Sequence, residues 1–260
     1  MSRYIKKAGF RWLVLGLLVI ITLIATYQSR FNSRADILWK IVSQQCVPNM
    51  EANNDPKPCI EVNMPAGFVV YKSIDGPLQY LLMPTAKISG IESPEILAAN
   101  SPNYFLDAWQ ARHFMADKYG APIDDADISL TINSKYGRSQ DQLHVHISCL
   151  KPQVKTALAA HTADFSPQWQ PLPGGLLGND YLVRRTTTTE LQNLGAFRLL
   201  ADEVPGAKGH MGHYGLAMTA LPNGEFLLLA SKASLTKLHR ASVEELQDHE
   251  CKLLSPPPVH

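Results

Sequence analysis

Apolar and polar residues alternate most sharply at residues 142–148, Gln-Leu-His-Val-His-Ile-Ser. Side chains in a strand alternate between faces, so Leu143, Val145, Ile147 and Cys149 point toward a core. Gln142, His144, His146 and Ser148 share the other face, successive residues about 6.6 Å apart. Two imidazoles and an amide on one face of an apolar strand mark that face as a candidate site. Further strand-like runs cover 67–72 and 78–83, divided by the turn Asp75-Gly76-Pro77, then 128–133 and 181–186. A hairpin is predicted over 214–221 and 225–230, across Pro222-Asn223-Gly224.

Three- and four-residue spacing of Phe105, Ala108, Trp109, Met115 and Tyr119 predicts a helix over 103–119, ended by Gly120. Shorter helices are predicted over 33–42, from Ser93-Pro94, over 191–201 and over 242–251. The last of these has Ser242 and Glu245 spaced as a capping box. The order strand, strand, helix, strand, strand predicts an α+β fold with a mainly antiparallel sheet and packed helices. Later in the chain, strand, helix, strand, strand loosely echoes it as a degenerate second half, without a residue-level repeat.

The N-terminal pattern is different. Residues 1–11 carry Arg3, Lys6, Lys7 and Arg11, and 12–27 are uncharged and mostly Leu, Val and Ile, with Trp12 and Tyr27 at the ends. Length and flanks predict a transmembrane helix, uncleaved because no small-x-small site precedes Gln28. A basic N-terminus stays in the cytoplasm. The expectation is a single-pass bacterial inner-membrane protein with its catalytic domain in the periplasm. The predicted division is an anchor over 1–30, one domain over 31–254 and a proline-rich flexible tail over 255–260.

With 260 residues and 45% hydrophobic content, the chain can build a substantial core. A formal net charge of +1 gives no reason to expect nucleic-acid binding, so any preference for anions must be local. Four cysteines, Cys46, Cys59, Cys149 and Cys251, read as buried thiols or, in an exported chain, as disulfides. Of three possible pairings, Cys46–Cys59 with Cys149–Cys251 is favoured. Arg184-Arg185 reads as a solvated pair.

Just before the histidines lies a turn rich in donors, Gly137-Arg138-Ser139-Gln140. Phosphate chemistry needs such donors beside a nucleophile. Taken alone, His144 and His146 would also serve as zinc ligands, completed by His210, His213 or Asp141. The stretch from Asn133 through Gly137-Arg138-Ser139-Gln140 to Gln142-Leu143-His144-Val145-His146-Ile147-Ser148 resembles the histidine-triad superfamily. Across almost its whole length the chain is also similar to the bacterial CDP-diacylglycerol pyrophosphatase family. Gly76-Pro77-Leu78-Gln79-Tyr80-Leu81-Leu82-Met83-Pro84-Thr85, Pro171-Leu172-Pro173-Gly174-Gly175-Leu176 and His210-Met211-Gly212 with Tyr214-Gly215-Leu216-Ala217-Met218 carry that similarity.

The resemblance implies a histidine-triad-like sheet and hydrolysis of CDP-diacylglycerol to CMP and phosphatidate. It makes His144, the middle position, the nucleophile and His146 its partner. Gln142 replaces the first histidine, so that position can hydrogen-bond but cannot carry a proton. Asn133, Arg138, Ser139 and Gln142 are the candidate phosphate-binding residues. The implied partners are CDP-diacylglycerol and membrane lipids, and the scheme requires no cofactor or metal. Two other readings are an enzyme acting on soluble nucleotide diphosphates and an exported metal- or nucleotide-binding protein without turnover.

Overall fold

The computed structural model describes residues 34–254, together with 17 and 19–22. One mixed-length sheet organises the described chain, in the order β1-β2-β3-β5-β4-β8-β9-β7-β6, with β10 added beside β5; every pairing is antiparallel. The strands are β1 Glu61–Asn63, β2 Phe68–Lys72, β3 Tyr80–Pro84, β4 Ile128–Ile132 and β5 Val145–Leu150. They continue with β6 Gln170–Pro171, β7 Leu182–Thr186, β8 Tyr214–Ala220, β9 Phe226–Lys232 and β10 Gln247–Asp248.

Outward from the central β4–β8 pair, the order is the same on both sides: β5 then β3, and β9 then β7. Strand, helix, strand, strand therefore occurs twice, as β3 to β5 and as β7 to β9. Between β3 and β4 lie α3 Tyr104–Ala111 and α4 His113–Tyr119. Between β7 and β8 lie α6 Thr188–Leu194 and α7 Ala196–Glu203. Both pairs cover the same sheet face: Phe105, Trp109, Met115, Leu191, Phe197 and Leu200 pack on Val145, Ile147, Met218 and Leu228 in one core. The single helix expected over 103–119 is two helices meeting at Arg112, capped at Asn103, whose side chain accepts from Leu106 N. Gly195, at φ 74°, likewise divides the helix expected over 191–201, because a positive φ cannot continue a right-handed helix.

On the opposite face, two separate covers leave a gap. Over β1 to β3 lies α1 Ile37–Ile41, which continues through a π-helical turn, Val42–Cys46, into α2 Val47–Asn53. Leu38 and Val42 pack there on Val69, Leu81 and Met83, and Cys46 is bonded to Cys59. Over β7 to β9 lies α5 Pro152–Ala159, with Val154 and Leu158 packed among Val183, Leu227 and Leu229. His146 of β5, and His144 just before it, lie between these two covers.

Two expectations need correction. Among the described residues no helix is long and apolar enough to cross a membrane. This overturns the expected transmembrane helix, and with it the single-pass inner-membrane placement. Of the expected segment 12–27 only Leu17 and 19–22 are described; the rest of it, and the predicted tail 255–260, lie outside the described residues. Arg184 is not solvated: it is 1% exposed, and its guanidinium donates to Glu203 Oε2 (2.7 Å) and Glu190 Oε1 (2.6 Å). Charge pairing makes that burial tolerable.

Candidate active site

His144 stands immediately before β5 and His146 within it, their ring centroids 4.8 Å apart. Both are 6% exposed and line a cavity of about 310 Å³ with Asn133, Ser139 and Glu244. The tautomer of His144 follows from one hydrogen bond, Nδ1–H donating to the carbonyl of Gln142 at 2.6 Å. A carbonyl can only accept, so Nε2 keeps its lone pair. Burial lowers the pKa of this imidazole, against smaller opposing effects of the Gln142 carbonyl and Glu244. The ring is thus held neutral, with its free nitrogen available as a nucleophile.

His146 is built differently. Nδ1 accepts from Gln79 Nε2 at 2.9 Å. Its proton then belongs on Nε2, a buried atom with no hydrogen-bond partner among the described residues. Burial pushes the His146 pKa down to about 3, although Glu244, 3.2 Å from Nδ1, acts in the opposite direction. The second hydrogen of Gln79 Nε2 goes to Glu244 Oε1 at 3.1 Å, so one amide satisfies both acceptors.

Glu244 is the hub of this network. His249 Nε2 lies 3.1 Å from Oε1, Asn133 Nδ2 donates to Oε2 at 3.0 Å, and Ser148 Oγ meets His249 Nδ1 at 3.1 Å. Burial pushes the Glu244 carboxyl pKa up, but the bond from His249, the charge interaction with His146 and the bond from Asn133 outweigh it. Glu244 therefore stays ionised well below the usual carboxylate range.

The C-terminal segment brings these groups in. Val243–Leu246 is a 3-10 turn, and β10 then pairs with β5, Asp248 opposite Cys149. Cys149 is bonded to Cys251, which fastens the segment to the histidine strand. The helix expected over 242–251 is therefore mostly strand and turn. Ser242 makes no cap hydrogen bond, and Glu245 accepts from Asn179 and Tyr181 instead. Gly137 permits the docking, since a Cβ there would meet Ser242 Cα at 2.9 Å.

The other candidates separate. Asn133 is committed to the C-terminal segment, its Oδ1 accepting from Glu244 N at 3.0 Å. Arg138 pairs with Glu92 at 2.6 Å and Asp141 at 2.9 Å and does not line the cavity. Gln142 donates to the carbonyls of Pro84 and Ala86, both at 2.9 Å, and so ties the histidine segment to the end of β3. Ser139 is exposed on the cavity wall. His210 and His213 lie on Lys208–His213, where His213 meets the hydroxyl of Tyr136 at 3.2 Å. Among the described residues no group of three or more His, Cys, Asp or Glu is arranged to hold a metal ion.

Gln79, Glu244 and His249 escaped the sequence reading. Gln79 lies inside the stretch that carried the family resemblance. Glu244 is about a hundred residues from the histidines and had no local pattern to reveal it.

A family model for CDP-diacylglycerol pyrophosphatase matches residues 33–255. A protein of Yersinia pestis described as CDP-diacylglycerol pyrophosphatase is 69% identical over 261 residues, covering 100% of both chains. Among solved structures, Hnt3 aligns with 43% of this chain and 65% of its own, at 16% identity and a TM-score of 0.25, too slight a likeness to assign a fold.

Proposed function

The chain belongs to the CDP-diacylglycerol pyrophosphatase family and hydrolyses CDP-diacylglycerol, and from that premise we propose that it does so in two displacements through His144. The observation that carries this reading is the hydrogen bond that fixes the His144 proton on Nδ1 and leaves Nε2 unprotonated beside the cavity.

In the first step Nε2 attacks the phosphorus bearing cytidine. A P–N bond forms, the bridging P–O bond breaks, and phosphatidate leaves with the electron pair. His146 Nε2–H, unpartnered among the described residues, is the donor placed to meet a phosphoryl or leaving oxygen. Gln79, shared between His146 Nδ1 and Glu244, fixes the tautomer that presents this Nε2–H. Water then attacks the CMP–histidine intermediate, the P–N bond breaks, and His144 regains its lone pair as CMP departs. Covalent catalysis of this kind divides one difficult displacement into two easier ones.

Ser139 is the candidate phosphate ligand on the wall. Asn133 and Gln142 act by positioning Glu244 and the histidine segment, and Arg138 by holding the turn through its two ion pairs. The test is CMP release from CDP-diacylglycerol in detergent micelles with excess EDTA. His144→Ala should lose about 10³-fold or more. Release that survives the substitution removes His144 from the mechanism.

A further inference from the structure

Beyond its histidines, the cavity has two unlike walls. One carries Asn133, Ser139 and Glu244; the other carries Ile37, Leu38, Ile41, Tyr71, Ile74 and Leu81, with Ser73 and Asp75 flanking Ile74 and hydrogen-bonded to each other. The change happens within the sheet itself. Residues opposite one another on neighbouring strands point to the same face, and His146 stands opposite Leu81, which stands opposite Tyr71. The floor thus runs from imidazole to leucine to tyrosine toward the sheet edge. Ile37 and Ile41 follow each other at i and i+4 on the rim, Leu38 both lines the cavity and packs in the core, and Val42 turns inward.

The rim is fixed in place. Asp141 N donates to Ala35 O at 2.7 Å, and the Gln140 side chain bridges Leu38 N and Arg34 O, so α1 is fastened to the turn before His144. Lys72 Nζ donates to the carbonyls of Ser73 and Gly76, closing the loop that carries Ile74. Ile74 is nevertheless 90% exposed and Ile37 47% exposed, at the mouth of a polar active site. Ile41 and Tyr71 also pack against the core beneath α1, so the apolar surface continues from that core to the exposed mouth.

We infer that this wall is the subsite for the diacylglycerol portion of the substrate, an inference that rests on the proposed His144 mechanism. The scissile diphosphate then lies over His144 and His146 with CMP toward Ser139 and Gly137, and phosphatidate leaves across Leu81, Tyr71, Ile37 and Ile74. Continuity with the histidine cavity selects this occupant: a chain docked here is attached to the atom that His144 expels.

The test uses the full chain and two substrates, CDP-dihexanoylglycerol below its micellar concentration and CDP-glycerol, which lacks acyl chains. For Ile74→Ser, the ratio of kcat/KM on the acylated substrate to that on CDP-glycerol should fall about tenfold, mainly through KM, and further for Ile37→Ser/Ile41→Ser. Ile74→Leu should keep the parent ratio. An unchanged ratio in the serine variants, or a parent that does not prefer the acylated substrate, overturns the subsite and leaves the histidine mechanism standing. A parent active on neither substrate overturns both.

Discussion

One row of side chains crosses the sheet through both of its halves: Leu81, His146, Thr131, Ala217, Leu229, Val183. Its centre is the β4–β8 pair, so His146 on β5 and Leu229 on β9 occupy matching places. The first faces a cavity and a carboxylate; the second is fully buried under Val154, Leu158 and their neighbours. One backbone plan therefore holds either a polar site or an apolar filling. What separates them is the cover. On β9 it is α5 and the loops around it, a closed hydrophobic layer. On β5 the covers stop short on either side, and the C-terminal segment fills part of the gap with Gln247, Glu244 and His249 rather than with leucines. The histidines are necessary to the site, but the segments outside the repeated unit make it one.

Exchanging the two residues is the most direct way to break the comparison. His146→Leu should lower turnover about 10²- to 10³-fold, the range for a lost hydrogen-bond donor to the transition state, while the protein stays folded. Normal steady-state kinetics in that variant would place the donor elsewhere. The reciprocal change, Leu229→His, puts an unpartnered imidazole among aliphatic side chains and should destabilise the protein by about 3 kcal/mol or more in urea unfolding. A neutral outcome would mean the second half tolerates polar groups, and the contrast would lose its meaning.

Acid sharpens the difference. His146 has its pKa pushed down to about 3 in the folded protein, against an ordinary value of 6.5. The unfolded chain therefore binds the extra proton first, and this group's effect on stability worsens as pH falls from 6.5 toward 3. The loss is of order 3 kcal/mol by pH 4. Glu244 adds to it lower down, because its depressed pKa gives a contribution that is present above the ordinary carboxylate value and lost as pH falls. In His146→Leu, Tm should decline less between pH 7 and pH 4 than in the parent; an identical decline would contradict the burial effect.

The smallest expected effect is on the pH profile. Burial lowers the His144 pKa, so the neutral nucleophile persists below pH 6.5 and the acid limb of kcat/KM should lie below that value. Glu244 opposes this shift, and Glu244→Gln should therefore move the acid limb to still lower pH. Movement upward would mean that Glu244 acts on the ring in some other way.

Much of the sheet was legible because it depends on local alternation: the strands expected over 128–133, 181–186 and 214–221 are β4, β7 and β8, with ends shifted by a residue or two. Helix breaks were not, since Arg112 and Gly195 interrupt patterns that remain periodic across them. The histidine pair could be read from its strand. Its support could not: Gln79 reaches His146 from just before β3, and Glu244 arrives on a segment whose spacing suggested a helix cap. Arg138 and Asn133 show the converse. Each has the right chemistry for a phosphate, and each is occupied by carboxylates that only the folded chain brings near.

The central claim, that His144 becomes covalently nucleotidylated, is tested most directly by acid-free quenched-flow of the parent with CDP-diacylglycerol, followed by peptide mass analysis. The account predicts a transient CMP adduct on the peptide containing His144, formed before CMP appears in solution and absent from His144→Ala. Full turnover with no adduct at any time, or an adduct on His146 instead, would contradict it.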